Sequence, residues 1–437
     1  MSYSLKDILY QEVSLALGCT EPVAVALGSA AAASALAQRR IDTITVWVDP
    51  NIYKNGLGVV IPGSGGLKGL DLASALGALT GDPQSKMQVL ENVDSTSIRT
   101  AQDMVSQGRV TVHLLKDHQG LYIKTQIKAQ ENTAVSVIQG IHDNIVSVSL
   151  NGHNLSGQDE GDHTLSKAPK STLDIEQWLH QQPLSRLIEL VDGLDHEAAQ
   201  FMLKGIETNS LLAQYGLEHG SGLGVGRTLQ DMVHQGKLQE DMILSAKIVT
   251  SAAADARMSG AGLPAMSSAG SGNNGLMAIL PIWAIRNFVP CQESRLLQGI
   301  ALSHLITIQI KTYTGRLSSL CSCSVAAGAG AAGGTVYALG GTELEIAGAI
   351  NNLIADLGGV FCDGAKSGCA LKLATAAGSA IQSALLAMQG VIVPYHEGIL
   401  GHSPEQTLTY LGRLSSQGMQ ETGTTILDIM LNKRSQG

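Results

Sequence analysis

Aromatic residues make up only 3% of this chain, and charged residues only 15%. With so few large rings, the interior must be built from Ala, Gly, Val, Leu and Ile, whose small side chains let backbones approach closely. Lys and Arg number 28 against 37 Asp and Glu, a formal net charge of −9. That balance argues against a large nucleic-acid footprint, which needs clustered basic residues. Long apolar runs are missing too. Pro22–Ala37 and Val325–Gly340 are Ala/Gly-rich and short for a membrane span of ~20 strongly apolar residues, so both read as buried helices. No basic segment leads an apolar core in MSYSLKDILYQEVSLALGCTEP, so no signal peptide is expected and the location expected is cytoplasmic. Six cysteines in 437 residues are too few for a dense disulfide framework. In a reducing compartment they are free thiols, metal ligands or nucleophiles.

Several catalytic signatures are also absent. There is no GxSxG nucleophile elbow and no HExxH; His396-Glu397 is followed by a histidine only at 402. Gly63–Gly69 resembles a phosphate loop without its GK[ST] ending. Gly328–Gly333 (GAGAAG) matches GxGxxG by letter, but no strand precedes it, and tight helix packing explains it better.

The length suggests two or three packed units, and 44% hydrophobic residues suggest a globular protein. Ser4–Leu17 reads as an amphipathic helix ending at Gly18, and Pro22 as the opening of a helix to about Gln38. Ile44–Val48 and Gly58–Ile61 read as strands, Asp49–Leu57 as turn-rich, and Leu70–Leu79 and Ser95–Gln107 as helices. Arg109–Leu115, Leu121–Lys128 and Asn144–Leu150 are strand-like, with Asp117–Gly120 as a hairpin turn, and Asn151–Lys170 reads as a linker. From Thr172 onward helical periodicity dominates. The expected fold is therefore α+β: a mixed part over 1–165 with a small sheet, and a larger all-helical part over 166–437.

Two stretches carry the strongest chemistry. One is Leu320–Ser324 (LCSCS), between two expected helices; the other is Phe361–Cys369 (FCDGAKSGC), where glycines and an aspartate break one helix before another begins near Cys369. Loops at helix starts offer unpaired N–H groups and a positive dipole end, which lower thiol pKa and suit thiolate ligands of iron. An isolated cysteine usually just fills space, and Cys291 is read that way. Two cysteines in a glycine-broken polar loop are less easily explained as core. A structural zinc site would show CxxC or CxxH pairs, and none occurs.

Ser267–Gly275 (SSAGSGNNG) precedes the apolar Leu276–Ile285. It reads equally as an N-capping loop or as an anion site, in which Ser271, Asn273 and Asn274 would bind a substrate carboxylate. Pro281 should kink the helix that follows or mark its true start. Lys54 and Asn55, in the KNG stretch, are further substrate-binding candidates that a solvated loop explains almost as well.

Taken together, GCTEP (Gly18–Pro22), NIYKNGLGVVIPG (Asn51–Gly63), ARMSGAGLPAMSSAGSGNNG (Ala256–Gly275) and CDGAKSGCALK (Cys362–Lys372) resemble the L-cysteine desulfidase family, which is related to the α domain of iron–sulfur L-serine dehydratases. The dehydratases proper carry a serine–histidine motif where this chain has Gly18-Cys19-Thr20-Glu21. The resemblance implies a 4Fe–4S cluster with three cysteine ligands and one open iron. Those ligands would be Cys321, Cys362 and Cys369; the family pattern favours Cys321 over Cys323, which local spacing does not decide. It also implies that Cys19 acts as the base, with Glu21 as the alternative. A helix opening at Pro22 would favour a Cys19 thiolate. The implied reaction is β-elimination of L-cysteine to pyruvate, ammonia and hydrogen sulfide. An L-serine or L-threonine ammonia-lyase with the same cluster and a non-catalytic iron–sulfur protein are the alternatives. The expected partners are a small amino-acid substrate and further copies of the chain in a homo-oligomer, with no nucleic acid and no membrane.

Overall fold

The computed structural model describes residues 3–36, 40–118, 120–155 and 172–434. The chain opens on α1 (Leu5–Glu12), β1 (Leu15–Leu17), α2 (Thr20–Ser34), β2 (Thr43–Val48), α3 (Pro50–Gly56), α4 (Leu70–Thr80) and α5 (Ser95–Ser106). The strands β3 (Val110–Leu114), β4 (Tyr122–Ala129), β5 (Asn132–Gln139), β6 (Ile145–Leu150) and β7 (His153–Asn154) follow. Then come α6 (Thr172–His180), α7 (Leu184–Asp192), α8 (His196–His219), α9 (Val225–His234) and α10 (Met242–Met258). The last group is β8 (Pro264–Met266), α11 (Gly272–Ala284), α12 (Glu293–Thr314), α13 (Ser322–Ala338), α14 (Glu343–Leu357), α15 (Cys369–Met388), α16 (Pro404–Arg413) and α17 (Gln420–Arg434). The α+β expectation holds: a small sheet early in the chain and a mostly helical remainder.

The sheet runs in the order β3-β2-β4-β5-β6-β7, with β2 parallel to β3 and every other pair antiparallel. Ile44, Val46 and Val48 alternate inward and are fully buried in a core shared with α2 and α4, as period-2 patterning requires of a half-buried strand. The helical part is built around α12 and α13, which are buried along most of their length and therefore central. A Cβ on Gly330 would stand 2.5 Å from the Ser303 carbonyl oxygen, and one on Gly334 2.4 Å from that of Gly299. The GAGAAG run is thus a close helix crossing. α15 is long and apolar enough to cross a membrane by length and composition, but it packs as a core helix against α10, α13 and α14.

The two parts are stitched together near the start of the chain. Leu5, Ile8 and Leu9 of α1 join the helical core, and β1 pairs antiparallel with β8, Leu15 opposite Met266 and Leu17 opposite Pro264. The next residues, Gly18 and Cys19, are thereby delivered to the helical part before α2 enters the sheet layer.

Several elements differ from the sequence reading. The first helix stops at Glu12, because Leu15–Leu17 is claimed by β8. The second begins at Thr20, two residues before Pro22, and residues 37–39 at its expected end lie outside the described residues. Asp49–Leu57 is largely the helix α3: Asp49 caps it, its Oδ1 accepting from Asn51 N at 2.8 Å and Ile52 N at 3.2 Å, and Pro50 supplies the first turn. Gly58–Ile61 makes only a bridge from Val60 to Lys68. Asp117–Gly120 is not a hairpin turn, since β3 and β4 both pair with β2, which lies between them. β5 was not expected. Of the linker, 151–155 forms the turn after β6 and the short strand β7; residues 156–170, with the 165/166 boundary, lie outside the described residues. Pro281 does not start α11, which begins at Gly272 and runs through it.

Candidate active site

Four helices point their N-termini into one narrow cleft of about 80 Å³ where the sheet part meets the helical part. Cys19, Thr20 and Glu21 come from the start of α2; Ser271 and Asn273 from α11; Cys321, Ser322 and Cys323 from α13; Cys369 and Lys372 from α15. None of these four helices has a side-chain N-cap bond, whereas α1, α3, α5, α8, α10, α14 and α16 each have one. Uncapped N–H groups and four positive dipole ends make the cleft an anion environment. Its side chains add to this: Arg257, Lys311, Arg316 and Lys372 line it, and Glu21 is the only carboxylate among its described lining residues.

Five of the six cysteines line this cleft. The two cysteine loops are tied to each other by a bridge between Leu320 and Phe361: Cys321 N donates to Val360 O at 2.8 Å and Cys362 N to Ser319 O at 2.6 Å. Asp363 braces the second loop by pairing with Lys372 at 2.7 Å and with Lys366. Cys321 Sγ lies 3.4 Å from Cys323 Sγ and 3.3 Å from Ser324 Oγ. The pair shares its acidity: hydrogen bonds from Cys323 and Ser324 hold the Cys321 thiol below its ordinary value, and Cys323 is pushed up. Burial drives Cys369 up to about 12. Cys291 lies elsewhere, its thiol donating to Ala338 O at 3.0 Å in the helical core.

Cys19 is the N-cap residue of α2, as a base near a helix start requires, but it is not an activated thiolate. Burial raises it to about 11, outweighing the nearby Arg257 guanidinium, while Glu21 pushes the same way as burial. Glu21 accepts from Asn55 Nδ2 at 3.0 Å and from the Thr20 hydroxyl at 3.1 Å, which fixes the carboxylate in the cleft. Asn55 also lies 4.0 Å from Cys362 Sγ. Lys54 does not line this cleft. It is buried beside it, Nζ has no hydrogen-bond partner, and desolvation lowers its pKa.

The SSAGSGNNG loop is both cap and scaffold. Ser268 and Ser271 close a tight turn by exchanging two backbone hydrogen bonds, with Ala269 (φ 47°) and Gly270 (φ 72°) left-handed at its centre. His304 Nδ1 holds Ser268 Oγ at 2.9 Å from below, and burial keeps that imidazole neutral, near 3. Asn274 is fully buried outside the cleft lining. Its Nδ2 donates to Ser268 O at 3.3 Å, and its Oδ1 accepts from Ser322 Oγ at 3.0 Å, so it joins the α11 and α13 starts. Asn273 faces the cleft and accepts from Arg257 Nη1 at 2.9 Å, while Arg257 Nη2 donates to Gly18 O at 2.6 Å.

The chain matches the serine dehydratase alpha chain over residues 84–428. It is 50% identical over 435 residues to a UPF0597 protein of Desulfatibacillum aliphaticivorans, covering 99% of each chain. It is also 50% identical over 437 residues to one of Desulfotalea psychrophila, covering both chains completely. The chain belongs to the serine dehydratase alpha chain family. It is a serine dehydratase-like lyase by that membership, and the UPF0597 protein of Alkaliphilus oremlandii, 41% identical over 422 residues and 97% of this chain, extends the relationship further.

Within this serine dehydratase-like site, the fold thus gathers eight of the ten sequence candidates: Cys19, Glu21, Asn55, Ser271, Asn273, Cys321, Cys362 and Cys369. Lys54 and Asn274 lie behind the wall. Arg257, Lys311, Arg316 and His142 were not foreseen. Arg257 carried one signal, a lone cation ending the apolar Ala-rich helix just before the glycine loop.

Proposed function

We propose that this protein is an iron–sulfur-dependent lyase that β-eliminates L-cysteine to pyruvate, ammonia and hydrogen sulfide. The observation that carries the reading is the convergence of five thiols on one cleft of a serine dehydratase-like chain. The donor set suits a 4Fe–4S cluster. It is soft thiolate set among positive helix ends, and among the described residues no three His, Cys, Asp or Glu groups sit close enough for one ion. A group of several irons, each taking one thiolate, spans wider spacings than a single ion does. Cys321, Cys362 and Cys369 would hold it. Bound there, the cluster supplies a soft Lewis acid for the departing sulfur.

The chain's own groups do the rest. Ser271, Asn273 and the α11 N–H groups receive the substrate's anionic end. Cys19 takes the Cα proton, with Glu21 as the competing base beside it. The reduced thiols fit a cytoplasmic enzyme, all six cysteines being free. The family description favours a second reading with water as the leaving group, an L-serine or L-threonine ammonia-lyase.

The test is parallel turnover of L-cysteine, L-serine and L-threonine by anaerobically purified protein, with iron, sulfide and zinc analysis. Faster turnover of cysteine with about four irons per chain is the expected result. Faster serine turnover moves the assignment to the ammonia-lyase. A full cluster with no turnover leaves a non-catalytic iron–sulfur protein, and zinc in place of iron rejects both readings.

A further inference from the structure

His142 is the feature of the cleft that the mechanism above leaves unused. It stands in the turn between β5 and β6, so the sheet part sends it into a cavity otherwise built mainly from helix starts. Only 6% of it is exposed, yet neither Nδ1 nor Nε2 has a hydrogen-bond partner. Buried polar groups are almost always paired, and leaving both nitrogens unsatisfied costs free energy that a bound acceptor recovers. Burial lowers its pKa, so the ring is neutral at pH 7 and offers one N–H.

The ring faces a second unused donor. Arg316 is aimed by two acids: Nη2 donates to both Glu12 oxygens at 2.7 and 2.9 Å, and Nε faces Glu176 at 2.8 Å. Nη1 is the corner turned to the Ser268–Ser271 turn. A Cβ placed on Gly270 would stand 3.3 Å from Arg316 Nη1 and 3.4 Å from His142 Nδ1. Glycine at this left-handed position therefore keeps open a small space walled by a guanidinium, an unpaired imidazole and the uncapped start of α11. These three walls donate or are positive, while Glu12, already bonded to Arg316, and Asp143 line the adjoining space that His142, Gly270 and Arg316 share.

We propose that His142 and Arg316 grip the α-carboxylate of the amino-acid substrate over Gly270. This deepens the lyase reading and rests on it. The anionic end then sits against the sheet part and the α11 turn, which leaves the Cβ substituent to face the cysteine loops. Because His142 arrives on the β5–β6 turn, the site is complete only when the sheet part is docked on the helical part.

Calorimetric titration of pyruvate, a bare monocarboxylate of product size, into anaerobically purified holoenzyme reads this subsite without turnover. H142L is expected to weaken pyruvate about 10- to 100-fold and to raise KM for L-cysteine and L-serine by a similar factor. Its kcat and iron content should stay near wild type, and H142Q, which keeps a donor, should recover part of the loss. G270A fills the space while leaving both donors in place, and it should lose pyruvate and keep iron. Unchanged pyruvate affinity in H142L and G270A overturns the proposal, and so does a wild-type protein that binds no pyruvate. A fall in kcat with KM and pyruvate affinity unchanged also overturns it, making His142 a proton-transfer group. A wild-type protein that binds pyruvate through His142 but eliminates no amino acid keeps the subsite and rejects the lyase.

Discussion

The sharpest test of the elimination chemistry is Cys19→Ser read against pH. Cys19 is buried at the start of α2, and its thiol sits near 11 rather than the ordinary 9.0. At pH 7 that is about four units below the pKa, so about one thiol in ten thousand is ionised. A base present at so small a fraction passes its scarcity on to the rate. If Cys19 takes the Cα proton, kcat/KM should rise about tenfold per pH unit from about pH 7 to about pH 10. Cys19→Ser replaces the thiol by a group far harder to ionise, and should lower turnover by ~10²–10⁴ while iron and substrate binding stay. Exchange of the Cα proton with deuterated solvent, followed by proton NMR under anaerobic conditions, separates proton removal from sulfide release. A pH-independent rate over this range, or Cys19→Ser turnover within tenfold of wild type, refutes the assignment and moves the base to Glu21. Loss of iron in Cys19→Ser would instead make Cys19 a ligand and close the open metal position.

Three further outcomes follow, two from the cleft and one from the buried acid Glu12 beside it. Replacing Cys321, Cys362 or Cys369 with Ala should remove iron and activity together, while Cys323→Ala keeps both; full iron in Cys362→Ala, measured against protein concentration, rejects the ligand set. Asn273→Ala removes the Arg257 acceptor at 2.9 Å and should raise KM about tenfold with the cluster intact; unchanged steady-state constants would take Asn273 out of the site. Glu12, 3% exposed, is raised from 4.5 to about 7 mainly by burial, so the native state binds its proton more tightly than the unfolded chain. That contribution is full below about pH 4.5 and lost as pH rises through about 7, a change of roughly 3 kcal/mol. Tm of the wild type should therefore fall relative to Glu12→Gln between about pH 5 and pH 7.5, and equal slopes in differential scanning calorimetry would contradict it.

What the sequence disclosed about this site was what is local. The cysteine loop and the SSAGSGNNG turn carry their chemistry within a few residues, so composition and helix-start signals sufficed. Helix α3 was also written in plain form, Asp49 as cap and Pro50 in the first turn, but the glycines and Asn55 that follow made it look like a loop. β5 alternates over Ala134, Val135, Ser136, Val137 and Ile138 too weakly to stand out beside its neighbours. The thiolate expected at Cys19 was right about the helix start and silent on burial, which only packing against Val59 and Met258 reveals. His142 and Arg316 could not be read at all. Each is an ordinary residue in an ordinary stretch, and its meaning comes from a turn of the sheet and a loop after α12 meeting over Gly270.

The early chain also has a consequence for how the protein is made. α1 and β1 leave the ribosome well before their partners: Leu15–Leu17 pairs with Pro264–Met266, and α1 packs on α6, α8 and α12. The sheet layer of α2, α4 and β2–β6 can assemble meanwhile, while the apolar face of α1 stays uncovered and open to chaperones or aggregation. Closing so long a loop costs little more than closing a shorter one, because the penalty grows only with the logarithm of its length. Exposure time is the greater hazard. A tag or truncation at the first strand would act late in biogenesis, when Gly18 and Cys19 are threaded to the cleft, and would show as soluble protein that assembles no active site.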